Sequence, residues 1–285
     1  MFQVPPEGIL LDLPHLRFEN IDFVWNHPGT TAETPPAMIR MTSRWIEFHQ
    51  CSFQSGRVPF GSLRPVAVAC RPADRAPGAV DLPAASHVVL DRSVFRDVEA
   101  AIASATAVTL QSNGSLYLGP GPVLDLANWP TGKQPVRLAL SQCTLRNATA
   151  LVWVRGGQVP RRPQAIVINA ESSVFAPRAD GALLFFETLH DPHDLLSRVQ
   201  WTGHSSLLSA DATLVAGSSA EGEAQRLDES QVAIEGLARS HCEFAGPQID
   251  LPAASRLEHW SVPLRASATP GIDPGILQLP HVPTQ

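Results

Sequence analysis

The sequence predicts an all-β solenoid. Two observations carry that reading: a short apolar motif recurs along most of the chain, and a second apolar run follows every copy. Written ΦxΦxxxxΦ, with a small or apolar residue two before the end, the motif begins at Leu16, Ile46, Val88 and Leu138 (LRFENIDF, IEFHQCSF, VVLDRSVF, LALSQCTL). Longer versions start at Val108 (VTLQSNGSLYL), Ile166 (IVINAESSVF) and Val199 (VQWTGHSSLL), each read as carrying about two extra residues in the middle. Seven copies result.

The runs that follow are AMIRM at 37–41, VAVAC at 66–70, AAIA at 100–103, VLDL at 123–126, ALVWV at 150–154, ALLFF at 182–186 and TLVA at 213–216. Each unit is therefore strand, turn, short strand, loop, strand. Side chains alternate along a strand, so the first and third motif positions face a common interior, and middle residues such as Arg17, Glu47, Thr109 and Gln200 face outward. The third positions, Phe18, Phe48, Leu90, Leu110, Leu140, Ile168 and Trp201, are separated by 30, 42, 20, 30, 28 and 33 residues, a fixed unit with variable loops. These segments are too short, too rich in Val, Ile and Phe and too often broken by Gly or Pro for a helical repeat. Stacking the coils then places Phe23, Phe53, Phe95, Leu145 and Phe175 in one interior column and the small Cys51, Ser93 and Cys143 in another, near a turn.

IEFHQCSFQS and LALSQCTLRN resemble the IxIxNCxFxN coils of the pectin-lyase-like superfamily, and the resemblance covers roughly residues 15–216. It implies a right-handed parallel β-helix, here of about seven coils with an irregular C-terminal tail. VAIEGLARSHCEFAG and WSVPLRASATPGIDPGIL also resemble the ends of β-helix segments carried by large bacterial multidomain proteins. The domain reading is a parallel β-helix over 1–216, a polar linker with room for one closing coil over 217–261, and a Pro-rich tail over 262–285. With the first strand expected only after about fifteen residues and no capping helix before it, the N-terminal end is expected to be covered, by a partner or by more of a longer protein, with GILLDL supplying part of the cover.

Composition narrows the function. The net charge of −6 and the scattered basic residues argue against a nucleic-acid partner. The four cysteines form no CxxC pair, so buried free thiols are expected rather than a zinc knuckle. The opening MFQVPPEGILLDLP lacks the basic n-region and cleavage site of a leader, and no stretch reaches the roughly 18 uninterrupted apolar residues of a membrane span. No cofactor motif is present.

Three groups of residues could carry a site. Enzymes of the resembled superfamily commonly use acidic residues on the outer face of one stacked sheet, and Glu19, His49 and Asp91 occupy the fourth motif position on three successive coils. Later coils are read as carrying Gln111, Ser141 and Asn169 there. The loop HDPHD offers His190, Asp191, His193 and Asp194 as metal-type donors, although its proline does not favour convergence on one ion. Long loops at 24–36, 54–65 and 71–86 wall the N-terminal coils, with Trp25, Arg57, Phe60 and Arg64 as contact groups. The paired aspartates and GHG sequence of the resembled hydrolases are absent. The expectation is a non-catalytic scaffold or binding module for a protein or glycan; the alternative is a polysaccharide lyase or glycoside hydrolase using Glu19, His49 and Asp91.

Overall fold

The structure, a computed structural model, describes residues 1–27, 34–42, 44–56, 58, 62–70, 85–130, 134–156, 164–188, 193–219, 224–227, 229–232 and 234–240. It is a parallel β-solenoid of about six turns with almost no helix. Three sheets form its walls. Sheet I has nine strands, from Phe2–Gln3 and Asp22–Trp25 through Ser52–Ser55, Val94–Arg96, Leu116–Leu118, Thr144–Arg146 and Val174–Ala176 to Ser206–Ser209 and Leu237–Ser240. Sheet II also has nine, running from Ile9–Leu11 to Thr213–Ser219, with Gln225–Arg226 added antiparallel at its end. Sheet III has seven, from His15–Glu19 to Val199–His204. Each coil visits sheet III, then I, then II.

The corner from sheet III to sheet I repeats with little variation. Asn20, Gln50, Arg92, Gln142, Ser172 and Ser205 all lie at φ between 47° and 57°, and Gly114 takes 55° at the same place. A left-handed residue without glycine is strained, so something must hold it there. The backbone does so: Gln50 N–H donates to Asp91 O at 2.8 Å, Arg92 N–H to Asn113 O at 2.8 Å, and Gln142 N–H to Glu171 O at 2.9 Å. The next residue turns inward, in the column Cys51–Ser93–Ser115–Cys143–Ser173–Ser206, every member buried. These side chains satisfy backbone groups that the bend would otherwise leave unpaired. Cys143 N–H donates to Ser173 Oγ at 3.1 Å and Ser173 N–H to Ser206 Oγ at 3.2 Å, while Ser173 Oγ–H donates to Glu171 O at 2.9 Å. The expected Cys51, Ser93 and Cys143 are thus three members of a longer polar ladder. Cys51, Cys70 and Cys143 are free and buried.

Inside, Phe23, Phe53, Phe95 and Tyr117 stack at 4.8, 4.9 and 5.2 Å with planes within 11° of parallel, the rise of one rung. Leu145, Phe175 and Leu208 continue the column in register. Tyr117, unplaced by the sequence reading, belongs here; its hydroxyl is 2.7 Å from Ser112 Oγ, inside the coil.

Register corrects the three longer motif copies. Leu110 pairs with Val88 and Leu138, not with Leu90 and Leu140; Ile168 and Trp201 follow in that same column. The position opposite Leu90 and Leu140 is held by Ser112, Ala170 and Gly203. No residues are inserted: a small side chain sits where a large one was expected, and the apolar pair starts one dipeptide earlier.

The first strands come earlier than expected. Phe2–Gln3 and Ile9–Leu11 already add a rung to sheets I and II before residue 15, with Val4 fully buried beneath them, while sheet III gains none. Phe2 and Leu10 remain 46% and 65% exposed on that rim. At the other end the stack continues past residue 216, and Leu195, Leu196, Leu227 and Val232 join the core. Residues 241–285 lie outside the described residues.

Candidate functional site

The fourth motif position forms an outward column on sheet III, Glu19–His49–Asp91–Asn113–Ser141–Glu171–His204. Glu19, His49 and Asp91 do follow one another on adjacent coils. Beyond them register corrects the reading: Asn113 and Glu171 stand where Gln111 and Asn169 were expected, those two lying two residues back along the strand.

Contacts single out a residue the sequence reading left as merely outward-facing. Glu47 is the hub: Trp45 Nε1–H donates to its Oε1 at 2.7 Å, His15 Nε2 lies 3.1 Å from the same oxygen, and His49 Nε2 lies 3.0 Å from Oε2. His49 Nδ1 then faces Asp91 Oδ2 at 3.4 Å. Asp91 is closed from the far side by Arg92 at 3.0 Å and by Asn113 Nδ2–H at 3.1 Å. Glu19 stands apart from this chain and pairs with Arg17 along its own strand. The network therefore runs His15–Glu47–His49–Asp91–Arg92 across the N-terminal coils, with only His15 mostly exposed among its first four members.

Strand geometry explains why it forms. Residues two apart on one strand share a face, and residues in register on the next strand are one rung away, so Glu47 reaches His49 along the chain and His15 across it. The pairings hold both carboxyls below the ordinary range: Glu47 chiefly through the bond from His49 and then Trp45, Asp91 because Arg92, Asn113 and His49 outweigh the burial that works against its charge. With a carboxylate at each ring nitrogen, His49 donates to both only as the imidazolium, since a neutral ring carries one N–H. His87 stacks on Trp45 at 4.9 Å and 14°, while His15 meets the indole edge-on at 6.0 Å. The indole is thus occupied by its column neighbours and offers little face for sugar stacking.

A second cluster, unanticipated, lies on the outer face of sheet II. Asp125, Trp153 and Phe185 are in register on successive coils, and Arg155 pairs with Glu187 in the neighbouring column. Arg155 Nε–H donates to Asp125 Oδ1 at 3.0 Å, its guanidinium lies 4.3 Å from the Trp153 ring centre, and Trp153 Nε1–H donates to Glu187 Oε2 at 3.3 Å. Burial pushes the Asp125 carboxyl up, Arg155 opposing and Glu99 and Glu187 adding to the rise. An aspartate, a tryptophan and an arginine in VLDL and ALVWVR give no periodic signal, so only the register assembles them.

The loop-borne contact group does not assemble as expected. Trp25 is 2% exposed and part of the core, because it lies two residues beyond the inward Phe23 on Asp22–Trp25 and shares its face, and it packs edge-on against His27. It presents no surface to a ligand. Arg64 is half-buried and lies 3.9 Å from Asp97. Arg57, Phe60, His190 and Asp191 lie outside the described residues. His193 and Asp194 open the short helix His193–Leu196, and their side chains lie outside the description. Among the described residues no three His, Cys, Asp or Glu side chains are grouped to hold a metal ion, and no helix is long and apolar enough to cross a membrane.

No family model matches this chain, and no curated protein or solved structure matched it either.

Proposed function

We propose that the chain is a non-catalytic parallel β-helix module of pectin-lyase-like kind that binds a protein or glycan through the outer face and loops of its N-terminal coils. The observation that carries this reading is the closure of the sheet III network: Glu19, Glu47, His49 and Asp91 each have an in-chain partner, and both shifted carboxyls are held ionised. Proton transfer needs a group poised near the working pH with room to exchange its proton. A surface already paired is fixed in shape, which suits recognition. The exposed Phe2 and Leu10 at the N-terminal rim favour a protein partner there.

The alternative, a polysaccharide lyase or glycoside hydrolase using Glu19, His49 and Asp91, is favoured by one observation: His49 and Asp91 touch on adjacent coils of an outward sheet face. Screening the protein against uronate-containing and neutral polysaccharides, with and without calcium, separates the two. Binding without turnover, weakened by Arg57→Ala or Arg64→Ala and unchanged by Asp91→Asn, is the expected result. Turnover that Asp91→Asn abolishes would overturn the proposal.

A further inference from the structure

The two ends of the tube are finished differently. At the C-terminal end Gln225–Arg226 lies antiparallel on sheet II and stops its parallel stack, and Leu227 and Val232 are buried in the core. At the N-terminal end the terminal strands are Phe2–Gln3 in sheet I, Ile9–Leu11 in sheet II and His15–Glu19 in sheet III. The inward side chains of these strands are left partly open. Phe2 continues the aromatic column, 6.1 Å from Phe23, yet is 46% exposed. Ile9, Leu11, Leu16 and Phe18 pack against the core without being buried. Outward, Leu10 stands in register with Arg40 and is 65% exposed. Among the described residues the exposed large apolar side chains, Met1, Phe2, Leu10 and Leu13, all lie on this one end. Natural edge strands are commonly blunted by proline or charge; Phe2–Gln3 and Ile9–Leu11 carry neither.

The pitch of the tube decides how a second copy fits this end. Each coil rises one rung while visiting sheets III, I and II, so the terminal strands are staggered. Ile9–Leu11 lies about a third of a rung deeper than Phe2–Gln3, and His15–Glu19 about two-thirds. Two such ends can face each other about a two-fold axis across the tube, which passes through one sheet and the opposite corner. With the axis through sheet II, Ile9–Leu11 meets its own copy, and Phe2–Gln3 meets His15–Glu19 of the second copy. The staggers then sum to about two-thirds of a rung in every pair, so all three sheets close together. With the axis through sheet I or sheet III the sums differ by about a full rung, and a strand is left unpaired.

Strands related by this axis run antiparallel with like faces opposed. With Leu10 on the axis, it meets Leu10 of the second copy on the outer face. Ile9 meets Leu11 inside, and Phe2 faces the Leu16–Phe18 pair. Asp12 falls opposite Gly8, so sheet II opposes no like charges. Such a contact uses the same surface of both copies and closes at two, whereas head-to-tail stacking would set this end against the blocked edge of sheet II.

We propose that the N-terminal end is a self-association surface, through which two copies pair end to end about a two-fold axis passing through Ile9–Leu11. This rests on the reading of the rim as a protein-binding surface, and it is measured without any polysaccharide, so it and the outer-face reading can fail separately. Sedimentation velocity of the full chain from about 1 to 100 μM is expected to show a monomer–dimer equilibrium. Leu10→Lys changes a side chain exposed in the single chain and sets like charges against each other across the axis. It is expected to weaken dimerisation at least about tenfold with an unchanged circular dichroism spectrum. In a Cys242→Ser background, where Cys51, Cys70 and Cys143 are buried, Leu10→Cys is expected to give a disulfide-linked dimer under mild oxidation. A residue on the axis faces itself across antiparallel strands, within about 5.5 Å. Gln111→Cys, exposed on sheet III, is expected to give none. A monomer throughout the range, a dimer indifferent to Leu10→Lys, equal crosslinking of the two cysteine variants, or oligomers growing beyond two would each overturn the assignment.

Discussion

Sheet I and sheet III are built from the same coils, yet their outer faces have opposite character. On sheet III the outward positions carry Glu47, His49, Asp91, Gln111 and Arg137, half-buried or exposed, and polar contacts tie Glu47, His49 and Asp91 to one another. On sheet I they carry Val94, Leu116 and Val174, all buried. Alternation fixes which way a side chain points; it does not fix whether that direction is wet. Pointing outward is a local property, and being buried outward depends on what else packs there.

Four experiments sharpen or break this contrast. The inward reference comes first: Phe53→Ala removes a ring stacked on both Phe23 and Phe95 and is expected to destabilise by about 3–5 kcal/mol in urea titration. A loss below about 1 kcal/mol would mean that the column is not the core. The contrast itself is tested by pairing Leu116→Ala with Gln111→Ala. Leu116 should cost about 2–4 kcal/mol despite pointing outward, and Gln111 less than about 0.5 kcal/mol. If the two changes were equal, the faces would not differ.

The corner ladder is next. Ser173→Ala removes the buried acceptor of Cys143 N–H and the donor to the part-buried Glu171 O, and should cost about 1–2 kcal/mol by thermal or urea unfolding. The smallest effect concerns the wet face. Glu47 and Asp91 titrate lower in the folded chain than an ordinary carboxyl near pH 4, so their contribution is present above that range and is lost as pH falls through the lowered folded values. Stability measured from pH 6 to pH 3 should therefore fall less steeply in Glu47→Gln than in the parent chain. An unchanged slope would disconnect Glu47 from the network.

Much of the fold was legible because interior columns demand it. The rung spacing forces like residues above like, and CSF, SVF and CTL each show the small-then-apolar pair of the bend. The strands Ala37–Met41, Val66–Cys70 and Ala182–Thr188 begin where the apolar runs do. The longer copies misled because Ser112, Ala170 and Gly203 occupy inward positions, and a small residue carries no apolar signal. Trp25 misled for the reverse reason: an aromatic beside a long loop reads as a contact group, yet it lies two residues beyond Phe23 on one strand and shares its inward face. Glu19, His49 and Asp91 could be aligned from spacing alone. Glu47 could not be singled out, since its importance lies in three donors that converge only when strands His15–Glu19 and Trp45–His49 stand in register.

The unvarying corner has a consequence for how such a chain can change length. Every corner from sheet III to sheet I holds one left-handed residue followed by one inward Ser or Cys, apart from the first, where Ile21 follows Asn20. An insertion there would break the hydrogen-bond ladder on both neighbouring coils. The long connections, at 26–36, 56–65 and 71–85, fall at the other two corners. The tube is therefore modular: a block cut at equivalent points, such as Val108 and Val136, carries one whole coil with its own Phe/Tyr position, its own Ser/Cys rung and its own bend. Duplicating or deleting that block changes the number of rungs and leaves every corner as it was.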